Sequence, residues 1–248
     1  MLGRVWHATV VEHHRLRRDV AVVRLIGDVI PFVSGQSVAV STPQHPLVVR
    51  RLSPALPPSL DGKLEFHVKA VPAGWMSGSI VAETKPGDVW EFTEPAGQMR
   101  IDDSGRDVVM IAGGTGLAPF RSLILDAARK AEPPRTYLFF GARTPRDLYA
   151  SDMLFLLDAE LPWLTVVPVV EHLVDPDWTD EWYERTKVDV GYGLDDLLAG
   201  RLGDVVSAHG KFTAHQIFVC GSPGMTRATI EQLTAGGTPM ENIRYDPI

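Results

Sequence analysis

Apolar positions in the first hundred residues fall in short alternating or β-branched runs, and beyond them they gather into unbroken blocks. The early runs are Arg4–Val11, Val20–Leu25, Ser37–Ser41, Val48–Leu52, Lys63–Val71 and Val89–Phe92, the pattern of half-buried strands. Turn signals separate them: Gly27-Asp28, Pro43, Pro57-Pro58, Asp61-Gly62 and Pro86-Gly87. Six strands at this spacing predict a barrel or a sandwich, interrupted by one helical stretch at Trp75–Thr84.

After Ile101 the grammar changes. The continuous apolar run Val108–Ala112 meets a glycine turn and then an amphipathic segment, Leu117–Lys130. Tyr137–Phe140 precedes a helical stretch at Asp147–Glu160, Leu164–Val170 is a third strand, and Gln216–Cys220 leads into a helix at Pro223–Leu233. Buried strands alternating with helices predict a parallel sheet with helices on both faces. The polar stretch Asp102–Arg106 is the expected boundary, giving domains at 1–101 and 107–248.

Charge and composition narrow the chemistry. The balance of 24 basic and 31 acidic residues, net −7, argues against a general binder of nucleic-acid backbones, although a local basic patch can still hold a mononucleotide. A single cysteine, Cys220, excludes an internal disulfide, a thiolate-held iron–sulfur cluster and a Cys-rich zinc site. No apolar run reaches the roughly 18 residues of a membrane span, and no signal-peptide core opens the chain, so a cytoplasmic protein without a membrane partner is expected. The eight histidines form no metal pattern: His13 and His14 are adjacent and point apart on a strand, and His209 and His215 lack a carboxylate at ligand spacing. There is no Gly-x-Ser-x-Gly elbow for a hydrolase, and Asp195-Asp196 reads as solvated.

Two glycine turns carry the candidate chemistry of the second half. Ile111-Ala112-Gly113-Gly114-Thr115-Gly116-Leu117-Ala118-Pro119 follows a strand and opens a helix. Glycine lets a phosphate approach the backbone, and the helix start supplies free N–H groups. No Gly-Lys-Ser/Thr follows, so it is not a Walker loop, and Pro119 stands where a dinucleotide fingerprint has its third glycine. Phe218-Val219-Cys220-Gly221-Ser222-Pro223-Gly224-Met225 repeats the strand, turn and helix start. Turns on neighbouring parallel strands form a ligand crevice at the carboxyl edge of the sheet. The plainer alternatives are a tight turn without a ligand and, for Cys220, a small buried hydrophobe.

In the first half, Val49-Arg50-Arg51-Leu52-Ser53-Pro54 ends a strand, and His67-Val68-Lys69 and Gly74-Trp75-Met76-Ser77 follow. An arginine and hydroxyls beside a Gly-x-x-Ser helix start make a second anion site. On these residues the chain resembles the ferredoxin–NADP reductase-like flavoprotein superfamily along almost its whole length. Arg50-Arg51-Leu52-Ser53 is similar to the family's Arg-x-Tyr-Ser flavin motif, and Gly74-Trp75-Met76-Ser77 to its Gly-x-x-Ser diphosphate motif. Gly113–Pro119 resembles the nicotinamide-nucleotide loop, and Cys220-Gly221-Ser222-Pro223-Gly224-Met225 the late Cys-Gly-x-Pro-x-Met turn. Phe140-Gly141-Ala142-Arg143-Thr144 with Asp147-Leu148-Tyr149 resembles bacterial reductases of this group, and Glu65–Val71 resembles the reductase modules of flavohaemoglobin-like and oxygenase-reductase proteins.

The resemblance implies an N-terminal antiparallel six-stranded flavin-binding barrel and a C-terminal parallel-sheet nicotinamide-nucleotide domain. It implies FAD and either NADH or NADPH as cofactors, with electrons passing to a separate acceptor: a globin, ferredoxin, oxygenase component or free electron acceptor. Arg50 then neutralises the flavin diphosphate with the backbone of Gly74, Trp75, Met76 and Ser77. Ser53, beside Pro54, lies near the flavin N5 and Cys220 near the nicotinamide, the two expected catalytic positions. His67, Val68 and Lys69 contact the ribityl–diphosphate region through strand backbone and Lys69. Gly114, Thr115, Gly116, Pro119, Arg143, Gly221, Pro223 and Met225 hold the nicotinamide nucleotide. The family's aromatic position is occupied by Leu52, which keeps apolar contact with a flavin but loses stacking. That departure leaves an alternative, a non-catalytic nucleotide-binding or regulatory module. Glu171–Asp189, with Trp178, Trp182 and Tyr183, matches no family motif and reads as a solvated loop or short helix, with a partner-docking lid as the alternative.

Overall fold

The computed structural model describes residues 4–174 and 197–246. Its first sheet contains β1 (Trp6–Arg17), β2 (Val20–Gly27), β3 (Ser37–Thr42), β4 (His45–Leu52), β5 (Lys63–Lys69) and β6 (Val89–Ala96), with α1 (Trp75–Ala82) between the last two. The strands pair antiparallel in the order β4-β3-β6-β1-β2-β5. Alternate residues point inward, as the period-2 pattern requires. Phe66 lies at the centre, its ring 5.9 Å from those of Trp90 and Phe92. The edge strands β4 and β5 approach each other through an isolated bridge, Pro54 to Phe66, so the sheet curls into a barrel with one open seam. β1 runs past the predicted Val11 to Arg17, because pairing with β2 carries its polar end through two register shifts.

The second sheet contains β7 (Val108–Gly113), β8 (Thr136–Ala142), β9 (Leu164–Val170), β10 (Leu198–Ala199), β11 (Gln216–Cys220) and β12 (Ile243–Arg244). The helices that follow its strands are α2 (Leu117–Ala127), α3 (Ser151–Glu160), α4 (Leu202–His209) and α5 (Pro223–Ala235). All pairs are parallel, in the order β10-β9-β8-β7-β11-β12. The chain builds outward from β7 to β10 and then returns to the other side of β7, so the topological switch falls between β7 and β11. Val109, Ile111, Phe139, Ile217 and Val219 form the core of this sheet with Val206 and Leu233 from α4 and α5. The short elements α4, β10 and β12 have no counterpart in the sequence pattern. β10 and β12 are two residues each and exist through pairing with β9 and β11. Where one helix was expected from Asp147, a tight turn at Pro145–Asp147 precedes α3, which begins at Ser151.

By its contacts the chain divides into two compact units, one comprising residues up to Arg100 with Ala118–Arg129, the other Ile101–Leu117 with the chain from Lys130 on. The expected boundary stretch is tied into the second unit. Asp102 accepts from Arg106 at 3.2 Å and Arg244 at 3.3 Å, and its N–H donates to Gln216 Oε1 at 2.8 Å. The unplaced segment Glu171–Asp189 lies outside the described residues from position 175 on, as does Asp195-Asp196. Among the described residues, no helix is long and apolar enough to cross a membrane, and no group of three or more His, Cys, Asp or Glu could hold a metal ion.

Candidate cofactor-binding sites

In the first unit, strand alternation separates two adjacent arginines. Arg51 is consumed by the fold: Nε donates to Ser37 Oγ at 2.9 Å, and Nη2 to the carbonyls of Ser37 at 2.8 Å and Glu94 at 3.0 Å. Arg50 is exposed and donates only to its own neighbour, the Val49 carbonyl, at 2.8 Å. A guanidinium so lightly committed can take a diphosphate. Leu52 packs half-buried against the barrel core, Ser53 is half-buried, and Pro54 is buried at the bridge to Phe66.

β5 is an edge strand. The His67 ring turns inward, with its side chain 4% exposed and Nε2 at 3.0 Å from Glu65 Oε1, so the exposed part of this half-buried residue is its main chain. Val68 points into the core, and Lys69 pairs with Asp19 at 3.4 Å on the surface. At Gly74 the first turn of α1 has no side-chain cap, which leaves its amides for an anion. The Ser77 hydroxyl closes that turn, accepting from Val71 N–H at 3.1 Å and donating to the Gly74 carbonyl at 3.2 Å. Met76 is buried, whereas Trp75 stands 79% exposed beside the turn.

In the second unit, β7 and β11 run side by side with Ala112 opposite Cys220, which brings the two glycine turns together. The glycines have different tasks. Gly114 sits at φ +52 and a Cβ there would meet nothing within 4 Å, so it faces open space in a conformation that side chains disfavour. Gly116 is packed: a Cβ would overlap the Cys220 carbonyl, so glycine is what allows the close approach of the two turns. Met225 fills the gap between Gly113 and Gly221, and Thr229 Oγ1 donates to its sulfur at 3.3 Å.

α5 is capped by Ser222, whose Oγ accepts from Met225 N–H at 3.4 Å, with Pro223 at the first helical position and Gly224 facing open space. Pro119 is buried in the first turn of α2, and Thr115 is half-buried. Arg143, just past β8, is exposed, and its side chain makes no hydrogen bond or ion pair among the described residues; Asp147 instead accepts from Thr144 Oγ1 at 3.0 Å. The Cys220 thiol is pushed up to about 12, by burial first and then by the nearby Asp246 carboxylate. It is a neutral thiol at physiological pH, not a thiolate nucleophile.

One cluster escaped the sequence. Glu65 is 3% exposed and accepts from Arg24 Nε at 2.7 Å and Arg121 Nη1 at 2.9 Å, with His67 against the same carboxylate. Burial alone would raise its pKa, but hydrogen bonds from His67 and Arg24 and the charge of Arg121 outweigh it and hold the carboxyl at about 2. On the chain, Lys63, Glu65, His67 and Lys69 look like the solvated face of an edge strand. Nothing local indicates that Arg121, 56 positions on, covers it.

An uncommitted arginine and uncapped helix start in one unit, and paired glycine turns at a topological switch in the other, suit two separate nucleotides. The comparisons agree. Residues 7–101 match the oxidoreductase FAD-binding domain and residues 110–231 the oxidoreductase NAD-binding domain. The chain belongs to the ferredoxin–NADP reductase-like flavoprotein superfamily. It is 33% identical over 211 residues to the reductase component DmpP of phenol 2-monooxygenase from Pseudomonas sp. (strain CF600), covering 84% of this chain and 55% of that protein. It is 29% identical to the xylene/toluene monooxygenase electron transfer component XylA of Pseudomonas putida, covering 96% of this chain and 64% of that protein. Among solved structures, the ferredoxin reductase in carbazole 1,9a-dioxygenase superposes with a TM-score of 0.79 at 29% identity, covering 98% of this chain and 69% of that one. The Amycolatopsis cytochrome P450 reductase GcoB superposes with a TM-score of 0.81 at 26% identity, with the same coverage. The chain thus spans only 55% and 64% of the length of these two curated relatives.

Proposed function

We propose that this chain is an NAD(P)H-dependent flavoprotein reductase that passes electrons through FAD to a separate acceptor, with 1–101 as its flavin half and 107–248 as its nucleotide half. FAD, when bound, supplies the two-electron acceptor for a hydride and the donor for onward electron transfer. The division of labour between Arg50 and Arg51 is the observation that carries this reading: one guanidinium is spent on the fold, and its neighbour stays available at the end of the flavin motif. Arg50 and the α1 start would hold the diphosphate, with the main chain of His67 beside them. Lys69 would have to leave Asp19 to join them. Ser53 would face the reactive edge of the flavin, and Leu52 would offer it apolar contact. Gly114, Thr115, Gly221, Pro223 and Gly224 would border the nicotinamide nucleotide, Pro119 and Met225 would shape its turns, and Arg143 would reach its ribose end. Cys220, a neutral thiol, would pack near the nicotinamide and exclude water rather than attack it.

The acceptor is proposed to be a globin or an oxygenase component, in keeping with relatives that are themselves reductase or electron-transfer components of monooxygenases. The cytoplasm, where reduced nicotinamide nucleotides are supplied, is the proposed compartment. A second reading, a nucleotide-binding module without redox activity, is favoured by Leu52 alone. Absorbance separates the two. A yellow protein, or an apoprotein that turns yellow with FAD, should bleach under anaerobic NADH or NADPH. A protein that takes up no FAD favours the module.

A further inference from the structure

We propose that Arg121 and Glu65 form a brace that positions the Ser53–Ala55 segment of the flavin site, Arg121 acting as a positioning residue; this rests on the FAD reading of the first unit. After β4 the chain enters a stretch rich in proline, Pro54, Pro57 and Pro58, none of which has an N–H with which to anchor the main chain. Ala55 is where the stretch is tied down. Its N–H donates to the Glu65 carbonyl at 2.7 Å, and its own carbonyl accepts from Arg121 Nη1 at 3.0 Å. The same nitrogen donates to Glu65 Oε1 at 2.9 Å, so one guanidinium nitrogen links the segment to a buried carboxylate.

Glu65 thus holds Ala55 twice, directly through its main chain and indirectly through Arg121. Arg24 Nε at 2.7 Å and His67 at 3.0 Å fix the carboxylate in turn. A buried ion cluster is a poor way to add stability, because desolvation offsets most of the attraction. What it provides is direction: the bonds exist in one geometry and set where Ser53 and Pro54 stand. Arg121 lies on α2, which the chain enters directly from the Gly114–Gly116 turn. The flavin segment is therefore braced by a helix that the flavin motif itself does not include.

The test compares full-length Arg121→Met, Arg121→Lys and Glu65→Gln with the wild type. Three readings are taken: FAD affinity of the apoprotein by fluorescence quenching, visible circular dichroism of the bound flavin, and amide exchange at Ala55 without FAD. Arg121→Met should weaken FAD binding by about tenfold, change the flavin dichroism and speed exchange at Ala55. Arg121→Lys should recover most of all three, since a single bridging nitrogen suffices. Should Arg121→Met fail to fold, Arg121→Lys and Glu65→Gln carry the test, and Glu65→Gln must then shift both the dichroism and the exchange. A lowered melting temperature with unchanged FAD affinity and dichroism would overturn the proposal, because a purely structural pair behaves so. Wild type that takes up no FAD overturns the flavin reading together with this proposal, whereas wild-type uptake with indifferent variants overturns this proposal alone.

Discussion

Adjacent residues of like type do unlike work in this chain. Arg50→Ala should weaken FAD binding by about 10- to 100-fold through the loss of a charge-assisted contact, and Leu52→Ala should weaken it less. Arg51→Ala should act chiefly on stability, since it releases three bonds to Ser37 and Glu94. Titration of the apoproteins with FAD, beside their melting curves, checks all three. The glycines divide in the same way. Gly116→Val should lower the melting temperature sharply, because its side chain meets the Cys220 carbonyl. Gly224→Ala should fold as well as the wild type and raise KM for the nicotinamide nucleotide, since its Cβ enters open space in the first turn of α5. An unchanged KM for Gly224→Ala would show that the nucleotide does not approach there. Neutral Cys220 should react slowly with iodoacetamide at pH 8 and faster only as pH climbs toward about 12.

At the scale of elements, β5 and α2 are joined by the buried ion pair of Glu65 with Arg121. The folded Glu65 carboxyl titrates at about 2 against an ordinary 4.5. Its pKa is depressed on folding, so its stabilisation is full above the ordinary value and fades as pH falls from there toward about 2. Glu65→Gln should therefore lower the melting temperature at neutral pH and flatten its fall between those limits. A mutant curve parallel to wild type across that window would show that Glu65 is not the group responsible. Most strands, and the helices after β7 and β11, were legible in the chain because each keeps its own periodicity. Elements that exist through a partner were not. β10 and β12 are too short to carry a pattern, and the polar end of β1 reads as loop until β2 pairs with it.

At the scale of the molecule, Arg143 bears on the choice between NADH and NADPH. Arg143 lies exposed beyond β8, and no acidic residue replaces it to repel a 2′-phosphate. Wild type should accept NADH and NADPH with kcat/KM values within about a hundredfold of each other, and Arg143→Ala should lose more with NADPH. A larger wild-type preference would reveal a dedicated ribose site elsewhere. The sequence by itself determined the two-part architecture and the positions of both glycine turns, because strand alternation, helix starts and turn chemistry are local. Only the tertiary structure decided that Arg51 is bound to Ser37 and Glu94, that Gly116 packs while Gly114 stays open, and that Glu65 is buried under Arg121. Those outcomes depend on residues tens of positions apart meeting at hydrogen-bond distance, and no local pattern in the chain encodes such a meeting.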